Sequence, residues 1–101
     1  MQLTKDDVMI ALSEVYDPEI PISIVDMGLI YRVDVDEDNN VDVDMTMTTR
    51  GCPMHSMITL QAQKRIEKMD GVGSVKVNLV WDPPWNQAMM TEAAKLQLGL
   101  L

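Results

Sequence analysis

One stretch carries the clearest structural pattern in this chain: Val41-Asp42-Val43-Asp44-Met45-Thr46-Met47-Thr48-Thr49-Arg50-Gly51-Cys52-Pro53. Apolar residues occupy every second position from Val41 to Met47, which predicts a strand with one buried face. Pro53 suits the first turn of a helix, where its missing N–H breaks no hydrogen bond. The stretch therefore predicts a strand, a turn and a helix in direct succession.

The only cysteine of the chain, Cys52, lies in that turn. At a helix N-terminus, unpaired backbone N–H groups and the helix dipole favour a thiolate over a thiol. Gly51 leaves space beside the sulfur and permits an unusual backbone conformation. The position suits a reactive or metal-binding thiol, and the alternative is a small buried hydrophobic residue. His55 shares a helix face with Cys52, so it is either a second metal ligand or an exposed side chain.

The segments before this stretch predict a helix and a β-hairpin. Thr4 and Asp7 have the spacing of a capping box, and Asp17-Pro18 ends the helix that follows. Its apolar face consists of Val8, Met9, Leu12, Val15 and Tyr16. Alternation over residues 29–36 predicts a strand with one mostly polar face, and residues 36–40 form a turn by composition. The strand starting at Val41 completes the hairpin.

The segments after the stretch complete an α+β fold. A helix is predicted over residues 53–69, a third strand over 74–79 and a last helix over 86–98. The middle helix buries Met57, Ile58, Ala62, Ile66 and Met69. The order α-β-β-α-β-α predicts a compact single domain over residues 1–101, with a small mixed sheet covered by helices. The middle helix makes a right-handed crossover if the strands that flank it are parallel.

Composition limits the class of partner. Eight Lys and Arg against 16 Asp and Glu give a net charge of −8. Nucleic acids and anionic membranes are therefore disfavoured, because both require a basic surface. No apolar run is long enough to cross a bilayer, and the polar N-terminus does not resemble a signal peptide. A single cysteine suits a reducing compartment, so a cytoplasmic location is expected.

The hairpin places two unusual segments side by side. Antiparallel pairing brings residues 23–28 and 48–53 to the same end of the sheet. Asp26 is then expected near Thr48, Thr49 and Cys52, and Glu19 lies only a short segment away. In the alternative interpretation, Asp26 only bonds backbone N–H groups near Gly28.

The last irregular segment, Trp81-Asp82-Pro83-Pro84-Trp85, allows two interpretations. Its two tryptophans, with Met89 nearby, form either an aromatic surface for a partner or the closure of one end of the core.

Together these segments resemble the SufT-like domain family of iron–sulfur cluster assembly, whose relatives include PaaD and the domain fused to Mrp-type carrier ATPases. The resemblance covers nearly the whole chain. It rests on four segments in matching order and spacing: Asp17-Pro18-Glu19-Ile20-Pro21, Ile24-Val25-Asp26-Met27-Gly28-Leu29-Ile30, Thr48-Thr49-x-Gly51-Cys52-Pro53 and Trp81-Asp82-Pro83-Pro84-Trp85.

The resemblance implies an accessory factor in the assembly, maturation or transfer of iron–sulfur clusters. It marks Cys52 as the functional thiol, with Glu19, Asp26, Thr48, Thr49 and Gly51 around it. One thiol cannot fill the four positions of a cluster. The cluster is therefore expected to be transient and shared with an assembly protein, an apo client protein or a second copy of the chain.

Three alternatives remain open at the level of sequence. One is an adaptor that binds proteins without cluster chemistry, and another is a thiol enzyme that uses Cys52 as its nucleophile. The third is a PaaD-like accessory subunit for phenylacetate catabolism. PaaD-like proteins carry a cysteine-rich C-terminal part, which this chain lacks, so a stand-alone SufT-like protein is expected.

Overall fold

The computed structural model describes residues 2–16, 22–47 and 55–99, with only the backbone at residues 55 and 56. Helix α1 (Lys5–Leu12) begins at the predicted capping box. The Asp7 N–H donates to Thr4 Oγ1 at 3.1 Å, and the Thr4 N–H donates to Asp7 Oδ2 at 3.0 Å. Two N–H groups that the first turn leaves unpaired are thereby satisfied.

Helix α1 ends earlier than predicted. Ser13 caps it, and the chain then becomes extended, so that Tyr16 forms an antiparallel bridge with Ser23. The Ile24 N–H donates to the Val15 carbonyl at 2.9 Å. Val15 is still buried as predicted, but Tyr16 is 55% exposed, so its assignment to the apolar helix face was wrong. The bridge provides backbone partners that a further helical turn would have removed.

Three strands form one mixed sheet in the order β1-β2-β3. They are β1 (Ile30–Val35), β2 (Val41–Met45) and β3 (Val75–Leu79). The pair β1–β2 is the predicted antiparallel hairpin, and β2–β3 is parallel. Strand β2 is thus central, and its core-facing residues Val41, Val43 and Met45 are at most 2% exposed.

The register of the hairpin contains one irregularity that simple alternation did not predict. Val33 lies opposite Val43 and Arg32 opposite Asp44, but Ile30 lies opposite Met45. Tyr31 is therefore an extra residue in β1, as in a β-bulge. The bulge redirects the Tyr31 side chain relative to the face that it would share with Val33.

Helix α2 (His55–Glu67) connects β2 to β3 and covers the sheet. Ile58, Ala62 and Ile66 are fully buried, four residues apart on one face, and the prediction for these three is confirmed. Met57 is 47% exposed, so its predicted burial was wrong. One residue along a helix is a rotation of about 100°, which turns Met57 away from the buried row.

The last predicted helix is divided in two. A 3-10 helix (Gln87–Met89) is followed by the extended residue Met90 and then by α3 (Glu92–Gln97). The Asn86 side chain accepts from the Ala88 N–H at 2.8 Å, and Thr91 Oγ1 accepts from the Ala94 N–H at 3.2 Å. Each short helix thus has its own N-cap, and the second cap interrupts a continuous helix.

The architecture is the predicted α+β fold with the order α-β-β-α-β-α. Helices α1 and α2 contact each other and one face of the sheet, and the main core lies between these layers. The other face of the sheet carries the polar residues of the strands. Over the described residues, no helix is both long enough and apolar enough to cross a bilayer.

Candidate functional site

Three loops start from the same end of the sheet. The Thr46 N–H donates to the Leu29 carbonyl, and the Val80 N–H donates to the Met45 carbonyl, both at 2.8 Å. The turn before β1, the chain that leaves β2 and the segment after β3 therefore begin close together. The antiparallel pairing places residues 23–28 at the end of the sheet where β2 ends. Their predicted proximity to residues 48–53 stays a prediction, because residues 48–53 lie outside the described residues.

Most of the predicted site residues lie outside the described residues. They are Glu19, Thr48, Thr49, Gly51 and Cys52. His55 is the first residue of α2, and its side chain is not described either. The elements that lead to the cysteine segment are well packed, since Met47 is 1% exposed and Ile58 fully buried. The arrangement of Cys52 relative to Asp26 stays a prediction.

Asp26 is held by a turn and by the C-terminal segment. Its N–H donates to Ser23 Oγ at 3.1 Å, and its carbonyl accepts from the Thr91 N–H at 2.9 Å. The Thr91 hydroxyl also donates to Asp26 Oδ1 at 3.4 Å, and Asp26 is half-buried. Thr91 was missed at the sequence level, although threonine before Glu-Ala-Ala is a typical N-cap signal.

Gly28 allows the same turn to touch the 3-10 helix. Its φ is +78°, and a Cβ built there would lie 2.7 Å from the Met89 carbonyl carbon and 2.9 Å from the Met89 Cβ. Ordinary Cβ contacts are never so short. Glycine is therefore required at this position for both backbone conformation and space.

The two tryptophans pack against the core from the third loop. Both are half-buried, and the Trp85 Nε1–H donates to the Met27 carbonyl at 2.7 Å. This arrangement agrees with closure of one end of the core. Met89 is half-buried as well, and its role in a partner surface stays a prediction.

Tyr31 is a site residue that the sequence did not reveal. Its hydroxyl donates to the Pro83 carbonyl at 2.8 Å and lies 3.4 Å from Met89 Sδ. Burial raises the pKa of Tyr31, the Asp82 carboxylate raises it further, and the Thr46 hydroxyl acts in the opposite direction. The Thr46 Oγ1 atom is buried, and among the described residues it has no hydrogen-bond partner with acceptable geometry. We therefore regard its effect on the pKa of Tyr31 as small.

A groove of about 630 Å³ opens beside this tyrosine. Its lining combines apolar and charged residues: Gly28, Ile30, Tyr31, Arg32, Asp44, Val80, Asp82, Pro83 and Met89. Gly28 belongs to the turn before β1, and Val80, Asp82, Pro83 and Met89 belong to the segment after β3, so the groove adjoins these two loops.

The polar face of the sheet is organised around Arg32. Arg32 Nε lies 2.9 Å from Asp44 Oδ2, and Nη2 lies 3.2 Å from Asp42 Oδ2. Asp34 also pairs with this guanidinium, and the Asn78 amide donates to both Asp42 and Asp44. Arg32 and then Asn78 lower the pKa of Asp44, while Asp44 and then Asp42 raise the pKa of Arg32.

We expect this network to make stability depend on acid pH. Because the pKa of Asp44 is lower in the folded state than in the unfolded state, the ionised carboxylate stabilises the fold at pH values above the unfolded pKa of about 3.9. This stabilisation is lost as the pH falls through the folded-state pKa of Asp44. Asp44→Asn should lower the free energy of unfolding by about 1 kcal/mol at pH 7, because the network is partly exposed. Urea unfolding at pH 7 and pH 3 measures this. Equal destabilisation at both values, or the same profile in the exposed-turn control Asp38→Asn, would contradict it.

Among the described residues, no group of three or more His, Cys, Asp or Glu side chains could hold a metal ion. The side chains of the predicted ligands Cys52 and His55 lie outside that set.

Comparison with known proteins gives a consistent set of relatives. Residues 5–78 match the iron–sulfur cluster assembly protein family. A Porphyromonas gingivalis protein named "Fe-S protein maturation auxiliary factor" is 45% identical, over 97% of this chain and 93% of its own length. The Staphylococcus aureus "Fe-S protein maturation auxiliary factor SufT" is 43% identical over 85% of this chain and 98% of its own.

A solved structure agrees with these matches. The crystal structure of a domain of unknown function from Bacillus anthracis superimposes with a TM-score of 0.91 and is 39% identical. The superposition covers 96% of this chain and 92% of that one.

Proposed function

The chain belongs to the iron–sulfur cluster assembly protein family, and from this membership we propose that it is an accessory factor in the assembly or maturation of iron–sulfur proteins. One observation carries the proposal: nearly full-length similarity, at 45% identity, to a protein named as a maturation auxiliary factor. The match covers helices and sheet alike, so it is not limited to one motif. The names of the relatives describe auxiliary factors, which favours a non-enzymatic role.

Cys52 is the functional thiol in this proposal. Two features support it: Cys52 is the only cysteine, and its segment joins the central strand to the N-terminus of α2. Backbone N–H groups at such a position favour a thiolate, which is the form that binds iron. Gly51, Thr48 and Thr49 form the immediate surroundings, with Glu19 and Asp26 as neighbouring carboxylates. His55 is a candidate second ligand.

The cluster is cargo rather than a resident cofactor. A cluster needs four ligands, usually thiolates, and one chain offers one thiol. The remaining ligands come from an assembly protein, an apo client or a second copy of the chain. The acidic surface, with a net charge of −8, favours partners whose docking surface is neutral or basic.

Anaerobic reconstitution tests the cluster chemistry directly. The protein is incubated with ferrous iron and sulfide, with and without a low-molecular-weight thiol, and its visible absorption is recorded after desalting. Charge-transfer absorption that depends on Cys52 and on the added thiol supports a shared cluster. A cluster that forms equally well on Cys52→Ser would contradict the assignment of the thiol.

Asp26 is proposed to tune the thiol, and Asp26→Asn tests this role. We expect activity in cluster delivery to fall about tenfold, the range typical of groups that act on a ligand. The alkylation rate of Cys52 should rise, because removal of a nearby negative charge favours the thiolate. The measurements are client activation and iodoacetamide kinetics at neutral pH.

The control for this test is Asp38→Asn, which removes the same charge from the exposed turn between β1 and β2. Equal effects of the two variants on Cys52 alkylation would show that Asp26 is not part of the site.

A further inference from the structure

Over the described ranges, the outer edge of β1 is a row of backbone groups without a strand partner. Strand β1 pairs there with β2 on one side, and no other described strand lies on the opposite side. The Asp36 N–H donates to the Asn40 carbonyl at 3.1 Å, and this hydrogen bond determines which residues of β1 bond to β2. Because successive residues of an antiparallel strand bond alternately inward and outward, Arg32 and Asp34 bond to β2, whereas Val33 and Val35 direct their N–H and C=O groups outward.

The hydrogen bonds of the central strand β2 lead independently to the same assignment of inward and outward residues in β1. The Val41 N–H donates to the Ser74 carbonyl at 2.8 Å, so the odd-numbered residues of β2 bond to β3. The even-numbered residues Asp42 and Asp44 then bond to β1, opposite Asp34 and Arg32. Within the described ranges, no group outside the hairpin hydrogen-bonds to the backbone of Val33 or Val35. The edge can therefore accept another strand.

The charged side chains along the β1 edge of one copy are complementary to those of a second copy. Arg32 and Asp34 flank Val33 on the polar face of the sheet. If a second β1 lies antiparallel with the two Val33 residues opposite each other, Arg32 of each copy faces Asp34 of the other. A two-fold axis makes this attractive pair occur twice. A second copy matches the pattern by symmetry.

A groove runs along the same edge, between α1 and β1. It has a volume of about 340 Å³ and is lined by Lys5, Met9, Ile30, Tyr31, Arg32 and Val33. Met9 and Ile30 are only partly buried there. Strand addition would cover this apolar surface, which adds a hydrophobic contribution to the backbone hydrogen bonds.

We propose that the β1 edge is a homodimer interface, in which two copies join into one six-stranded sheet around Val33. The bulge at Tyr31 limits the paired region to residues 31–35, so the dimer is of the weak, transient kind. The net charge of −8 on each copy opposes association at low ionic strength, and moderate salt reduces that repulsion.

This dimer is distinct from one that shares a cluster. The axis passes beside Val33, so the Ile30 ends of the two β1 strands lie at opposite ends of the joined sheet. Met47, the last described residue before Cys52, lies towards that end of the sheet in each copy, away from the axis. The proposed function can therefore fail without affecting this inference, and the reverse also holds.

Charge reversal at the interface tests the register. Sedimentation equilibrium in reductant is run up to about 1 mM protein, the range that a small transient interface requires. The wild type should show a reversible monomer–dimer equilibrium. Asp34→Arg should weaken it at least about tenfold, because two attractive pairs become repulsive. The introduced guanidinium would face Asp42 within the monomer, but the ion pairs of Asp34 with Arg32 and Lys5 would be lost. Circular dichroism therefore first establishes that the variant is folded.

Glu67→Arg is the matched control, since it makes the same change in net charge on the exposed end of α2. It should associate at least as well as the wild type. A wild type that is monomeric at all concentrations, or equal weakening by both variants, would overturn the proposal.

Amide hydrogen exchange locates the interface without any variant. The amides of Val33 and Val35 should become more protected as protein concentration rises. The amides of Arg32 and Asp34 already bond to β2 and should be protected at every concentration. Protection that develops instead at β3 or α3 would place association elsewhere and overturn the proposal.

Discussion

Gly28→Ala is expected to destabilise the fold by about 3–4 kcal/mol, among the largest effects of any single change in this chain. A φ of +78° costs alanine about 1 kcal/mol or more, since its Cβ approaches the following carbonyl oxygen. The added Cβ also overlaps the Met89 backbone. Relief of that overlap displaces the segment that bonds Trp85 to Met27 and Thr91 to Asp26. Urea unfolding measures the loss.

Gly71→Ala is the control for the steric part of this effect. Gly71 has a similar φ of +81°, but the nearest atom to its added Cβ, Asn39 Nδ2, is at an ordinary 3.9 Å. We expect it to cost only the conformational component, about 1 kcal/mol. If the two alanine variants were equally stable, the contact between Gly28 and Met89 would have no energetic importance.

Cys52→Ser should abolish cluster transfer and leave the fold intact. A hydroxyl is a poor ligand for iron in a cluster, whereas exchange of one sulfur for oxygen costs about 1 kcal/mol of stability or less. The measurements are thermal unfolding and anaerobic activation of an apo iron–sulfur protein by the reconstituted variant. A large fall in melting temperature would indicate a buried structural cysteine, and retained transfer would assign the role to other residues.

Local patterns were sufficient to predict most of the fold. The capping box at Thr4 and Asp7, the hairpin and the buried row Ile58, Ala62 and Ile66 depend on residues close in sequence, and all were predicted correctly. Errors arose where tertiary contacts override a local pattern. The bridge from Tyr16 to Ser23 ends α1 early, and the Thr91 cap, fixed to the Asp26 turn, divides the last helix.

The site was predictable to the extent that strand pairing determines it. Antiparallel pairing brings the Asp26 turn to the end of β2, and this follows from alternation alone. The contacts of Tyr31 with Pro83 and Met89 join residues more than 50 positions apart and depend on a bulge. No periodicity in the sequence indicates them, so the groove beside Tyr31 could not be predicted.

The most direct test of an accessory role in iron–sulfur protein maturation is made in the native host. The chain is deleted, and the specific activities of several iron–sulfur enzymes are measured beside those of enzymes that contain no cluster. An accessory role predicts that only the iron–sulfur enzymes lose activity, and that the wild-type chain restores it whereas Cys52→Ser does not. Unchanged iron–sulfur enzyme activities, or full restoration by Cys52→Ser, would contradict the role assigned to this chain and its thiol.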